Sequence, residues 1–244
     1  NERIIRMEKL IPFYMPNNNT PSSIEGTLYH YTSAESLFKI LEDMTLKPSR
    51  VQNLNDLNEG ALYRFISDFV YDKAVVEDYV KQNCTLLCFS KNYEGFPGII
   101  FRGTNHPAMW AHYANNHSGV CVEYDFDAVK NAVPFACIPV RYTDNYEYLL
   151  NTNNISEDVA NYMKFFTKAK EWEHEKEWRV AEQNEKLNMI GYNVSISSPI
   201  AIYLGCKASE KLKKDVISTC ENISVYQMKT RPGTFQFYYE LLNI

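Results

Sequence analysis

The chain predicts an α+β fold, a single domain in which a mixed, mainly antiparallel sheet is flanked by helices. Three observations carry that expectation. Apolar and aromatic runs of strand length cluster after residue 84, as at 85–90, 120–124 and 200–205. Segments with helical spacing fall between them. The composition, 45% hydrophobic and 23% charged over 244 residues, is that of a globular chain able to bury one large core.

Residues 1–26 read as an N-terminal arm, with Pro12, Pro16 and a polar loop over 16–23. The domain proper is expected over 27–244. Residues 27–32 form a short strand that runs into a helix. Thr32 is its expected N-cap and Glu35 completes a capping box. Leu37, Ile40, Leu41 and Met44 follow at helical spacing. His30 and Tyr31 therefore sit at a strand end just before a helix N-terminus, where anions are commonly held. A histidine satisfied by its own neighbours is the other reading.

Lys47, Pro48, Ser49 and Arg50 close that helix. A polar loop over 53–60 leads into a second helix through Leu62, Phe65, Ile66, Phe69 and Val70. In the loop, Asn55, Asp56 and Glu59 line a pocket on one reading; on the other, Asp56 or Asn58 simply caps the helix. After the strand at 85–90, a loop with Gly95, Pro97, Gly98, Gly103 and Pro107 is long enough for a binding flap. A short helix carries Met109, Trp110, His112, Tyr113 and Ala114. A turn over 115–119 leads to the strand at 120–124. Asp127 is placed to cap a short helix, and 138–142 reads as a strand.

A polar stretch over 144–158 precedes a helix whose apolar face holds Tyr162, Phe165, Phe166, Ala169 and Trp172. This helix brings in the densest chemistry of the chain, residues 170–180. Glu175 and Glu177 fall at a helix-to-strand junction, with the strand continuing through Trp178, Arg179, Val180 and Ala181. The last third alternates: strand 200–205, helix 209–220, strands 223–228 and 235–239. There is no internal repeat.

Charge and motif content exclude several classes. The net charge is −5 and no basic tail is present, so general nucleic-acid binding has no electrostatic signature here. Neither a Gly-x-Gly-x-x-Gly fingerprint nor a P-loop occurs. Cys84, Cys88, Cys121, Cys137, Cys206 and Cys220 lie in apolar runs without zinc spacing, and read as buried thiols of a cytoplasmic protein. No apolar run approaches the ~18 residues of a membrane span, and we expect no membrane partner. The chain begins at Asn1, so an N-terminal partner domain or a regulatory protein is an expected possibility.

Five blocks in order resemble the bacterial domain-of-unknown-function 2971 family, over about residues 27–205. They are Leu28 to Ser33; Asn55, Asp56 and Glu59; Cys88 to Ser90; Met109 to Ala114 with Gly119; and Trp172 to Arg179. A more distant resemblance is to the ADP-ribosyltransferase superfamily. The strand with His30, Tyr31, Thr32 and Ser33 looks like its histidine-type NAD strand, with Tyr31 where a Gly is usual. Glu175-Lys176-Glu177 looks like its Glu-x-Glu element. The resemblance implies an ADP-ribosyltransferase-like fold and NAD as substrate, with no metal. Glu177 would be the catalytic carboxylate that stabilises positive charge at the ribose, and Glu175 would orient the acceptor. His30, Tyr31 and Thr32 would hold NAD, together with Asn55 and Asp56. Trp110, His112 and Tyr113 would supply stacking and contacts at nicotinamide. Arg50 or Arg179 would bridge the pyrophosphate.

The expected activity is NAD-dependent ADP-ribosyl transfer to an unidentified protein or nucleic-acid acceptor, in a bacterial toxin or antiphage effector. Two other readings of the residues stand beside it. A metal-dependent nuclease or hydrolase would use Asp56, Glu59, His112, Glu175 and Glu177. A non-catalytic nucleotide sensor or adaptor would use the aromatic residues as a pocket.

Overall fold

The computed structural model describes residues 26–59, 78, 80–96, 99–133, 137–144, 165–183, 193–234 and 236–242. The arm over 1–25, the helix expected through Leu62 and Val70, and most of the polar stretch over 144–158 lie outside them. In chain order the first elements are β1 (Thr27–Thr32), α1 (Ala34–Asp43), β2 (Thr45–Leu46), β3 (Ser49–Arg50), β4 (Cys84–Lys91), β5 (Tyr93–Phe96) and β6 (Ile99–Phe101). Then come α2 (Pro107–Tyr113), β7 (Val120–Asp125), α3 (Phe126–Ala132), β8 (Ile138–Pro139), β9 (Arg141–Thr143) and β10 (Thr167–Ala169). The last are β11 (Glu177–Gln183), β12 (Val194–Ser195), β13 (Ala201–Leu204), α4 (Glu210–Thr219), β14 (Ser224–Thr230) and β15 (Phe237–Leu241).

Nine strands among the described residues form one sheet in the order β15-β14-β13-β7-β1-β4-β11-β8, with β3 on β4. Within that sheet only β13 and β14 pair in parallel, joined by the crossover helix α4; the separate two-stranded β9–β10 pair is also parallel. The α+β class and the mixed, mainly antiparallel sheet therefore stand as expected. Both faces are covered, which follows from alternation along the strands. Leu28, Leu87, Phe89, Val120, Val122, Trp178 and Val180 point into the main core with Leu37 and Ile40 of α1, Val129 of α3 and Val216 of α4. Tyr29, Tyr31, Cys121 and Tyr203 point the other way, onto Met109 and Trp110 of α2.

Several expected details change. The N-cap of α1 is Ser33, whose Oγ accepts from the Ser36 N–H at 3.1 Å; Thr32 stays in β1, opposite Val120. Asp125, not Asp127, caps α3, because its carboxylate reaches the Ala128 N–H. The expected flap holds the hairpin β5–β6. The helix expected through Trp172 does not extend past Phe165. Residues 167–169 instead pair with β9, and a 3-10 turn over Lys170–Glu175 follows. The helical spacing of Phe165, Ala169 and Trp172 was outweighed by this tertiary pairing.

The α2–β7 turn is strained. Asn115, Asn116 and His117 all have positive φ, at 45°, 52° and 70°, a region non-glycine residues seldom enter. Two glycines let the turn pack: a Cβ on Gly119 would lie 2.5 Å from the Thr32 carbonyl oxygen, and one on Gly205 would lie 2.2 Å from that of His117. The turn thereby clamps the end of β1. Gly205→Ala is expected to lose about 2–3 kcal/mol in urea denaturation; an unchanged midpoint would show that the turn can shift.

Candidate active site

Three neighbouring strands, β1, β4 and β11, carry the site. Antiparallel register sets Glu177 opposite Ser90 and Arg179 opposite Cys88. Because Trp178 and Val180 face the main core, Glu177 and Arg179 share the other face, two residues apart. There they meet Glu59 from the polar loop, Lys168 from β10 and Glu175 from the last residue of the 3-10 turn. All five side chains are buried.

Arg179 is fully used. Its Nε donates to Glu177 Oε1 at 2.7 Å and its Nη2 to Glu177 Oε2 at 2.9 Å. Nη1 donates to Glu59 Oε2 at 2.9 Å and to the Phe165 carbonyl at 2.7 Å, and Nη2 also donates to Glu59 Oε1. That accounts for all five guanidinium N–H groups. Lys168 Nζ donates to Glu175 Oε2 at 2.6 Å and lies 3.4 Å from Glu177 and 3.6 Å from Glu59. The Tyr113 hydroxyl donates to Glu175 Oε1 and accepts from Asn55 Nδ2 at 2.8 Å. Ser90 donates to the Glu175 carbonyl at 2.7 Å.

The two acids are pushed apart. Burial raises Glu175, and the neighbouring Glu177 charge raises it further; Lys168 and Tyr113 only partly offset this, leaving it at about 7. Burial also opposes ionisation of Glu177, but Arg179 and Lys168 outweigh it and hold that carboxyl at about 2. Lys168 is desolvated too, yet the three carboxylates keep it charged. The cluster thus sets three acids against two cations. It is neutral while Glu175 holds its proton and carries one negative charge once it does not. Two carboxyls split in this way divide the roles of proton carrier and fixed charge.

These groups line a cavity of about 150 Å³ that also includes His30, Tyr31, Met109 and Cys88. His30 Nδ1 lies 3.1 Å from the Cys88 carbonyl, so it must donate there, leaving Nε2 as the acceptor. Burial lowers the His30 pKa and keeps the ring neutral. Burial raises the Cys88 thiol well above its ordinary value, so it stays protonated. A second, wider cavity of about 750 Å³ adjoins the first and shares His30, Tyr31, Lys47 and Ser49 with it.

The expected site residues divide as follows. Glu175, Glu177, Arg179, His30, Tyr31, Asn55 and Tyr113 come together at the small cavity, and Thr32 and Arg50 line the wide one. Trp110 does not reach either. It is buried in the α2 core, its indole N–H donating to the Thr104 carbonyl at 2.8 Å, because the apolar side of α2 faces the sheet. Asp56 turns back to accept from the Asn58 N–H at 2.9 Å and lines neither cavity; the helix it was expected to cap lies outside the described residues. His112 is exposed on α2, edge-on to Tyr113 and Trp172. Arg179 has no donor left for a pyrophosphate. Among the described residues no group of three or more His, Cys, Asp or Glu is arranged to hold a metal ion.

Lys168 was not foreseen. It sat in what reads as a helix, where a lysine suggests a solvated face; Thr167 and Lys168 are both buried in β10, so no alternation in the sequence marks it. The i, i+2 spacing of Glu177 and Arg179 in one strand is the signal that would have paired them, where the expectation gave Arg179 to a pyrophosphate.

All six cysteines are thiols, and no described helix is long and apolar enough to cross a membrane. No curated protein and no solved structure matches the chain. The stretch that supplies Tyr113, Lys168, Glu175, Glu177 and Arg179, residues 109–180, matches the family described as Protein of unknown function (DUF2971).

Proposed function

We propose that this chain is an NAD-dependent ADP-ribosyltransferase with an ADP-ribosyltransferase-like fold. The observation that carries the reading is the Glu175–Glu177 pair, which offers one proton-exchanging carboxyl and one fixed carboxylate beside a neutral His30 in a cavity sized for a single small ring. In the reaction, the bond between nicotinamide nitrogen and ribose carbon breaks and nicotinamide leaves with the electron pair. The acceptor forms the new bond to that carbon and gives its proton to Glu175. Ionised Glu175 also turns the cluster negative, which favours the positive charge developing on the ribose. Glu177, with both oxygens held by Arg179, is a positioning residue. This reverses the roles that the resemblance implies for the two acids.

The effector role, as a cytoplasmic bacterial toxin or antiphage protein acting on a protein or nucleic-acid acceptor, rests on the superfamily resemblance; six reduced cysteines are in keeping with the compartment. The test is to incubate wild type and Glu175→Gln with NAD labelled on the adenine side, with and without cell extract. Free nicotinamide and labelled macromolecules are then measured. Release and labelling by wild type alone are expected. Folded wild type that releases no nicotinamide and labels nothing would sink the reading.

A further inference from the structure

Among the described residues the nine-stranded sheet ends in two unlike edges. At one end β8 is two residues long and contains Pro139, which has no backbone N–H; short strands and prolines are common ways of blunting an edge. At the other end β15 runs from Phe237 to Leu241 with no proline, no lysine and no bulge in its register against β14. The hydrogen bonds at its two ends fix which way its backbone points. The Arg231 N–H donates to the Gln236 carbonyl at 2.9 Å, and the Leu242 N–H donates to the Val225 carbonyl at 2.8 Å. Antiparallel bonding alternates, so the even-numbered residues turn their N–H and C=O toward β14. Phe237, Tyr239 and Leu241 turn theirs outward. The side chains of these three share the sheet face that carries Tyr226 and Met228. Two of the four large apolar side chains exposed among the described residues are here, Tyr239 at 37% and Leu241 at 49%.

We propose that β15 is a dimer edge, which pairs antiparallel with β15 of a second copy of this chain about a two-fold axis at Tyr239. The strand is self-complementary in this register. Tyr239 meets the second copy's Tyr239, Phe237 meets Leu241, and Tyr238 meets Glu240. Every outward N–H of the three odd-numbered residues then finds an outward carbonyl, and the exposed Tyr239 and Leu241 gain aromatic and aliphatic partners across the strands. The charges fit the same pairing. Glu240 is the one charged residue of β15; it is paired with Lys229 of its own chain and comes opposite a tyrosine, so no like charges meet. A foreign strand would have to match this pattern residue by residue, whereas a second copy carries it already. A contact of this length buries less than the ~1,600 Å² of a standard interface, so the dimer is concentration-dependent. The edge lies beyond β14, β13 and β7 from the strands of the candidate site, and the pairing stands independently of the proposed reaction.

The test is sedimentation equilibrium of the full chain from low micromolar to several hundred micromolar concentration. Wild type is expected to pass from monomer to dimer over this range. Tyr239→Lys and Tyr239→Glu each set like charges opposite one another across the axis, and each alone is expected to stay monomeric. An equimolar mixture of the two is expected to recover the dimer, because opposite charges then meet. Thermal denaturation checks that both variants fold. Hydrogen exchange on wild type needs no variant: the outward amides of Tyr239 and Leu241 are expected to slow several-fold as the dimer fills. Wild type monomeric throughout, or a dimer that Tyr239→Lys leaves intact, would overturn the edge. Folded variants that do not recover the dimer when mixed would overturn the axis at Tyr239. Exchange at these two amides that is unchanged between the ends of the concentration range would place any dimer contact elsewhere and overturn the assignment.

Discussion

Glu175→Gln is expected to lower nicotinamide release from NAD on the order of a thousandfold, the scale of losing a positioned proton acceptor and its charge together. The wild-type rate should rise with pH through about 7 and then level, because Glu175 must be ionised to take the proton from the acceptor. The variant should lack this rise. Stability supplies a second readout. Glu175 titrates at about 7 in the folded chain against an ordinary 4.5. Its protonated form is therefore favoured by folding. The contribution is full below 4.5 and is lost as pH climbs through 7, amounting to roughly 3 kcal/mol at about 1.4 kcal/mol per pH unit. Glu177 has the opposite sign: its contribution is full above 4.5 and fades as pH falls toward about 2. Denaturation midpoints followed from pH 4 to 8 should fall for wild type and stay nearly flat for Glu175→Gln. A flat wild-type profile would place the Glu175 carboxyl near its ordinary value and remove the basis for its role.

Arg179→Met is expected to cost about 3–5 kcal/mol, with a melting temperature lower by roughly 10 °C. The methionine fills the space but strands Glu59 and Glu177, both buried and both dependent on the guanidinium for their partners. Adding Glu59→Gln and Glu177→Gln should recover much of the loss, because the penalty comes from uncompensated charge and not from lost packing. A drop below about 1 kcal/mol for Arg179→Met would mean that water reaches the cluster. The same argument explains why Glu177→Gln is the poorer probe of chemistry. It removes a charge that Arg179 needs, so a loss of activity would be mixed with a loss of fold.

Much of this molecule is legible in one dimension. The strands at 27–32, 84–91, 120–125 and 201–204 alternate or run apolar in the way buried strands do, and α4 begins at a serine cap with Leu212 and Val216 on its buried side. Glu175 and Glu177 stand out because charge is dense there and the run ends at a strand. The misreadings have specific causes. Thr32 and Ser33 are both good caps, and only the pairing of Thr32 with Val120 chooses between them. Lys168 drew no reading because its segment has helical spacing, and its parallel pairing with β9 is a contact across more than twenty residues. Trp110 looked like a stacking surface because exposure of an aromatic cannot be read from its neighbours in sequence.

Local sequence therefore determined most of the elements, the fold class and the identity of the acidic pair, since propensity, alternation and capping act over a few residues. Tertiary structure decided which acid holds the proton. Glu175 and Glu177 are the same residue type two positions apart, and nothing between them in the chain sets them apart. What differs is that Arg179 grips both oxygens of one, while Lys168 and Tyr113 share the other in a site too dry to favour its charge. Burial and ion pairing depend on groups brought from Glu59, Lys168 and Tyr113, far apart in the chain, and only folding puts them within reach.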